Sequence, residues 1–218
     1  MRQRVLSLSI LLILTALAAA DEEKKSGLKP GDDLPGPFRP YNVTGKWGER
    51  TLKEAGGKEK EVEGQFHCLV CEHGLDPVVM IFARNAVNDP PKDLIDLLAK
   101  LNGAIQKYRR TRLGSFAVFL SDDLPDVVTD DEKRTQLAQQ LKDKVDQQAK
   151  LNLGENLPLA LDSKKYLTHY PLDENAQVIV VLYKDLKVVQ TFNFPKLDEK
   201  GAEEVLARVK EMIGVAKK

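Results

Sequence analysis

The sequence predicts an α/β fold: a mixed sheet with helices on both faces and an N-terminal β extension. Three observations predict it. Residues 78–83 and 116–120 are apolar runs of strand length, as expected of strands buried on both faces. The stretches that follow them carry apolar residues at helical spacing. Near the C-terminus, residues 178–183 and 188–194 read as two strands joined by Lys184-Asp185-Leu186-Lys187, a hairpin signal ahead of a closing helix. Alternating units followed by a hairpin give a sheet with both parallel and antiparallel strands.

The chain opens outside that fold. Met1-Arg2-Gln3-Arg4 is a short basic head, and residues 5–20 are apolar except for Ser7, Ser9 and Thr15. Ala18-Ala19-Ala20 supplies small residues before Asp21. This pattern predicts a cleaved secretory signal over residues 1–20. The run of about 16 residues falls short of the roughly 20 that a spanning helix needs. Its removal takes two arginines and no acid from a chain whose 33 basic and 33 acidic residues otherwise balance. The mature chain then stands at about −2, which argues against nucleic acid or an anionic membrane as partner. A secreted or periplasmic location follows, with the cysteines in an oxidising compartment.

Residues 21–37 are rich in charge, glycine and proline and are expected to form a flexible leader. One domain is expected over 38–214, with 215–218 as a tail. Within it, residues 38–44 alternate weakly as a short strand that turns at Gly45. Residues 52–61 are a solvated loop of Lys, Glu and Gly. Residues 62–70 are expected as another short strand, with Cys68 near its end. Asp89-Pro90-Pro91 starts a helix, because proline is tolerated in the first turn, and Leu94, Ile95, Leu98, Leu101 and Ile105 form its stripe. Thr129-Asp130-Asp131-Glu132 caps a long helix, with acids where the dipole favours them. Leu137, Leu141 and Val145 mark its buried side. Residues 157–161 are a third short strand. Asp198 caps the last helix, Val205, Leu206, Val209, Met212 and Ile213 are its apolar face, and Gly214 suits its end.

The chemistry-bearing residues gather at His67-Cys68-Leu69-Val70-Cys71-Glu72-His73, which holds the only two cysteines. A Cys-x-x-Cys pair beside alternating strands and helices is a redox signature. Three readings stay open. Cys68 and Cys71 form a redox-active dithiol, with His67 and His73 favouring a thiolate when protonated. Alternatively they form a structural disulfide contributing about 2 kcal/mol, pinning the turn that feeds strand 78–83. The third reading is metal binding, as in a zinc site, with His67, Cys68, Cys71 and His73 as four soft ligand types within seven residues. In the redox reading Cys68 is the expected attacker and Cys71 the resolving thiol. Against it, the sequence shows no helix start at the pair.

Elsewhere, Tyr41 and Trp47 are packing residues, and Tyr108-Arg109-Arg110-Thr111-Arg112 is a basic helix end. Asn42-Val43-Thr44 fits a glycosylation sequon. No Ser-His-Asp order, nucleotide loop or paired carboxylates are present, so no cofactor is implied.

The order of elements resembles the thioredoxin fold, in its redoxin branch of thiol-disulfide interchange and peroxiredoxin-like proteins. Leu34-Pro35-Gly36-Pro37-Phe38, running to Val43-Thr44-Gly45-Lys46, is similar to that branch's opening hairpin. Residues 77–83 and 115–122 resemble its two central strands. Leu157-Pro158-Leu159-Ala160-Leu161-Asp162 resembles its next strand, and residues 178–189 its terminal hairpin. The resemblance implies protein thiols or disulfides as partners, and its copper-carrying relatives, with two cysteines and a distant histidine near the hairpin, imply Cys68, Cys71 and His169 as the copper alternative. The departures bear on function. The family's reactive cysteines follow the first central strand, where this chain has Arg84-Asn85-Ala86-Val87-Asn88-Asp89. Its cis-proline precedes the terminal hairpin, where this chain has Asn175-Ala176-Gln177. The Cys pair instead precedes the central strand, so it is expected as a displaced site or a staple at the far edge of the sheet from the usual centre.

Overall fold

The computed structural model describes residues 27–45, 63–121, 130–149, 153 and 156–215. The expected signal segment, the loop at 52–61, Trp47 and Thr129 lie outside the described residues. The strands are β1 (Tyr41–Asn42), β2 (Val78–Arg84), β3 (Gly114–Leu120), β4 (Leu159–Asp162), β5 (Val178–Lys184) and β6 (Lys187–Phe194). The helices are α1 (Leu69–His73), α2 (Lys92–Lys107), α3 (Asp131–Ala149) and α4 (Glu199–Met212). All six strands join one sheet in the order β1-β4-β3-β2-β5-β6.

β2 takes a central place because all seven of its residues are buried. It pairs in parallel with β3, Val78 opposite Gly114 through Arg84 opposite Leu120. On its other side it pairs antiparallel with β5, Val78 opposite Tyr183. β4 continues the parallel set beside β3, while β1 and β6 pair antiparallel at the two edges. The mixed sheet is as expected, because β2-α2-β3-α3-β4 is a run of crossovers and β5–β6 is a hairpin.

The pleat sends alternate residues to two cores. Val79, Ile81 and Ala83 face the cluster that α2, α3 and α4 cover. Val78, Met80 and Phe82 face a second cluster with Phe116, Val118, Phe38, Tyr170 and the residues of α1. The three long helices therefore share one face, and the short α1 packs on the other. The caps form where the acids predict them. The Asp198 Oδ1 accepts the Gly201 N–H at 2.7 Å, and the Asp130 Oδ1 accepts the Lys133 N–H at 2.9 Å.

Three expectations are corrected. The strand expected over residues 62–70 is absent from the described part, residues 63–70. Phe66 makes a single bridge to Tyr41, the chain then turns, and Leu69–His73 is helix. Residues 27–37 are not a free leader in this structure. Leu28 is buried, and Gly31 and Leu34 donate to Val188 O and Leu186 O of the hairpin. That pairing covers part of the outer edge of β6, which an unpaired strand would leave as a template for other chains. The strand at 38–44 shrinks to Tyr41–Asn42. There the sequon is inaccessible: Asn42 is fully buried, and the Thr44 Oγ1 accepts the Leu159 N–H at 3.0 Å.

Candidate functional site

Cys68 and Cys71 are disulfide-bonded, with Cα atoms 5.3 Å apart. Helix α1 positions them. Cys68 is its N-cap, with extended backbone, and its Sγ accepts the Cys71 N–H at 3.1 Å. A sulfur here satisfies one of the donors that every helix start leaves open. Glu72 follows in the first turn, where a negative charge is favoured. Gly74 ends the helix at φ 54°, and its N–H returns to Val70 O. A helix start is thus present at the pair, contrary to the sequence-based reading. Five residues are too few to show a helical period, so the signal lay in the caps alone.

Between the cysteines, Leu69 and Val70 are buried in the second core. Burying such side chains stabilises by about 1.5–3 kcal/mol each, so they anchor the helix to the sheet. The two sulfur-bearing residues differ in access. Cys68 is 7% exposed, whereas Cys71 is exposed to solvent. A reagent in water therefore meets Cys71 first.

The histidines that bracket the pair have structural neighbours. His67 Nε2 lies 3.2 Å from Glu72 Oε2. His73 stacks on Phe116, centroids 5.8 Å apart. His169 lies against Tyr170 in an edge contact of 4.9 Å. Among the described residues no group of three or more His, Cys, Asp or Glu could hold a metal ion. The ring of His73 also abuts Gly114, the first residue of β3: a Cβ there would lie 2.4 Å from His73 Nδ1. The C-terminal end of α1 therefore docks at the N-terminal ends of the parallel strands.

The C-terminal ends of those strands are built differently. No cysteine lies in residues 84–89, and no cis peptide bond occurs among the described residues. Arg84 is buried and its Nη2 donates to Asp173 O at 3.1 Å. Asp162 is buried at the end of β4. Burial pushes its carboxyl up to about 7, and the Ser163 N–H, donated to Oδ1 at 2.7 Å, opposes that rise. Sequence reasoning noted Asp162 only within a strand pattern. Nothing in the sequence marked Arg84 as buried, because its place at the end of an apolar run is also where exposure begins.

No family model and no curated protein matches the chain. Among solved structures it is similar to Mycobacterium tuberculosis AhpC, at 14% identity over 85% of this chain and 98% of that one, with a TM-score of 0.52. It is also similar to a yeast mitochondrial 1-Cys peroxiredoxin, at 10% identity, 86% and 79% coverage and a TM-score of 0.51. A third likeness is to an uncharacterised conserved protein from Geobacillus kaustophilus, at 14% identity, 88% and 87% coverage and a TM-score of 0.50. At such identities the likeness shows the fold. The chain has a thioredoxin-like fold, with a Cys-x-x-Cys disulfide at the first turn of α1.

Proposed function

We propose that this protein is an exported thiol-disulfide exchange protein of the thioredoxin fold, acting through Cys68 and Cys71 on thiols of protein partners. The observation that carries the reading is the asymmetry of the disulfide across the first turn of α1: an exposed Cys71 and a buried Cys68 that accepts a helix N–H. A partner thiolate attacks Cys71 Sγ. The S–S bonding pair leaves on Cys68, and the Cys71 N–H that already points at Cys68 Sγ stabilises the departing thiolate. A second partner thiolate then attacks the partner's sulfur in the mixed disulfide and releases Cys71. The partner dithiol becomes a disulfide, Cys68 and Cys71 become thiols, and the partner's two protons end on them.

In this mechanism Cys71 takes the entry role that the sequence assigned to Cys68, because access outweighs position along the chain. Export rests on the basic head, the apolar run at 5–20 and the alanines before Asp21. The domain plan is a signal at 1–20, one domain at 38–214 with a tail at 215–218, and between them the segment 21–37, whose residues 31–34 pack along the hairpin.

A second reading has an observation of its own. Cys68, Leu69 and Val70 are all buried, so the disulfide could serve only to hold α1 in a non-catalytic binding module. The midpoint potential of the pair, with Cys68→Ser and Cys71→Ser as controls, separates the two. A potential above about −250 mV and oxidation of a dithiol substrate that both variants lose support exchange. A potential below about −300 mV with no exchange activity makes the bond a staple.

A further inference from the structure

We propose that the rim of the sheet beside Cys71, at the N-terminal ends of β2 and β3, docks an acidic segment of a thiol-bearing protein partner. Three short connections meet there. The Asp185 N–H of the β5–β6 turn donates to Leu75 O at 3.2 Å. Arg112 Nε pairs with Asp76 Oδ1 at 3.0 Å, and the Gly114 N–H donates to Pro77 O. The turn after α1, the basic end of α2 and the terminal hairpin therefore form one surface, and Cys71 stands four residues upstream of Leu75.

The surface combines charge with exposed apolar side chains. Lys107, Arg109, Arg110 and Lys184 are exposed, and no ion pair engages them among the described residues. Asp76 is paired with Arg112 and Asp185 is the exposed carboxylate of the turn, so the four cations leave a local positive excess on a chain whose formal net charge is zero. Leu75 is 63% exposed and Leu186 40%. Leu186 is also costly where it stands. Asp185 and Leu186 adopt φ 55° and 58°, the two left-handed positions of a tight hairpin turn that favours Asn-Gly. A leucine in that conformation is strained and has its side chain in water, and such outliers cluster at binding surfaces. An acidic segment with an apolar side chain would meet the cations and cover the leucines. Opposite charge also steers encounter, so a thiol carried by that segment would be delivered to Cys71. This last step rests on the exchange reading; the docking itself does not.

Two cysteine peptides test the proposal. They share one sequence with a single leucine, flanked by glutamates in one and by lysines in the other. Each rate of disulfide reduction is divided by that peptide's rate with a small-molecule disulfide. At about 10 mM ionic strength, where the Debye length is about 30 Å, the glutamate peptide is expected to react about tenfold faster or more. The advantage should vanish near 1 M salt. Arg109→Glu with Arg110→Glu should remove it while leaving reduction by dithiothreitol unchanged, and Leu186→Gly should slow the glutamate peptide alone. Equal normalised rates, or a preference that the charge-reversed protein keeps, overturn the proposal. Salt-sensitive binding to phosphatidylglycerol vesicles without any peptide preference assigns the surface to lipid and also overturns it. If dithiothreitol cannot reduce the pair, the exchange reading fails by itself. Docking is then decided by fluorescence anisotropy with a serine version of the glutamate peptide: binding lost in the charge-reversed protein supports it, and no binding sinks it.

Discussion

Asp162 shows how a single buried carboxyl imposes a pH dependence on the whole protein. Its folded pKa is raised to about 7 by burial, against about 3.9 for an unfolded aspartate. Between those values the folded state holds a proton that the unfolded state has lost, so stability falls as pH rises from about 4 to about 7 and then levels off. Asp162→Asn keeps an acceptor for the Ser163 N–H and removes the charge. Urea unfolding from pH 4 to pH 8 should show a flatter profile, with a gain of about 1–3 kcal/mol at pH 7.5. An unchanged slope would place the titration elsewhere. Two tyrosines make a contrasting pair. The Tyr170 hydroxyl donates to Gly36 O at 2.6 Å, so Tyr170→Phe should cost about 1 kcal/mol or more. Tyr183 is fully buried and its hydroxyl has no hydrogen-bond partner among the described residues. Tyr183→Phe should therefore be neutral, or stabilise by up to about 1–3 kcal/mol. Thermal melts should fall for Tyr170→Phe and stay level or rise for Tyr183→Phe.

Helix α1 is short for its task, and its hold on the sheet is concentrated at few contacts. At one end the disulfide closes its first turn; at the other, His73 fits between Phe116 and the bare Cα of Gly114. Gly114→Ala should displace the ring and destabilise by about 1–3 kcal/mol, as overpacking does. His73→Ala in the same chain should recover much of that loss, because the two residues share one space. Denaturant midpoints of the single and double variants give the coupling, and additive effects would mean that the ring does not fill that space. The same helix marks the limit of what the sequence reveals. α2 and α4 declare themselves through long apolar stripes, and their acids and prolines fall where the dipole and the chain geometry favour them. α1 has five residues and a sulfur for a cap, so its neighbours Val62 to Phe66 pulled the expectation toward a strand. The site was legible as a pair of residues but not as a helix start, and the difference in exposure between Cys68 and Cys71 depends on packing that no local pattern encodes.

Across the whole molecule, the parallel strands and β5 were readable because each is an apolar run buried on both faces, and the half-buried β6 because it follows β5 across a tight turn. What closes the sheet was not. At one edge residues 64–67 lie along β1, with the Asn42 N–H bonded to Gln65 O and the His67 N–H to Pro40 O. At the other, residues 31–34 lie along β6 and Lys187 pairs with Asp33 at 2.6 Å. These pairings join segments distant in sequence through backbone groups, which carry no side-chain signature. A chain starting at Pro35 should lose the cover of β6 and the buried Leu28. It should self-associate in a concentration-dependent way, as sedimentation velocity would detect, whereas the longer chain keeps one sedimentation coefficient over the same range.

The buried sequon at β1 has a consequence for the order of events during synthesis. Asn42 presents no surface once β1 has paired with β4, so an oligosaccharide can be attached only to a nascent, unpaired segment, and a segment so modified can no longer close that edge. In a host that glycosylates chains as they emerge, occupancy at Asn42 becomes a clock. It counts the molecules whose first strand was still waiting when the transferase arrived, and it counts them among those that fail to mature.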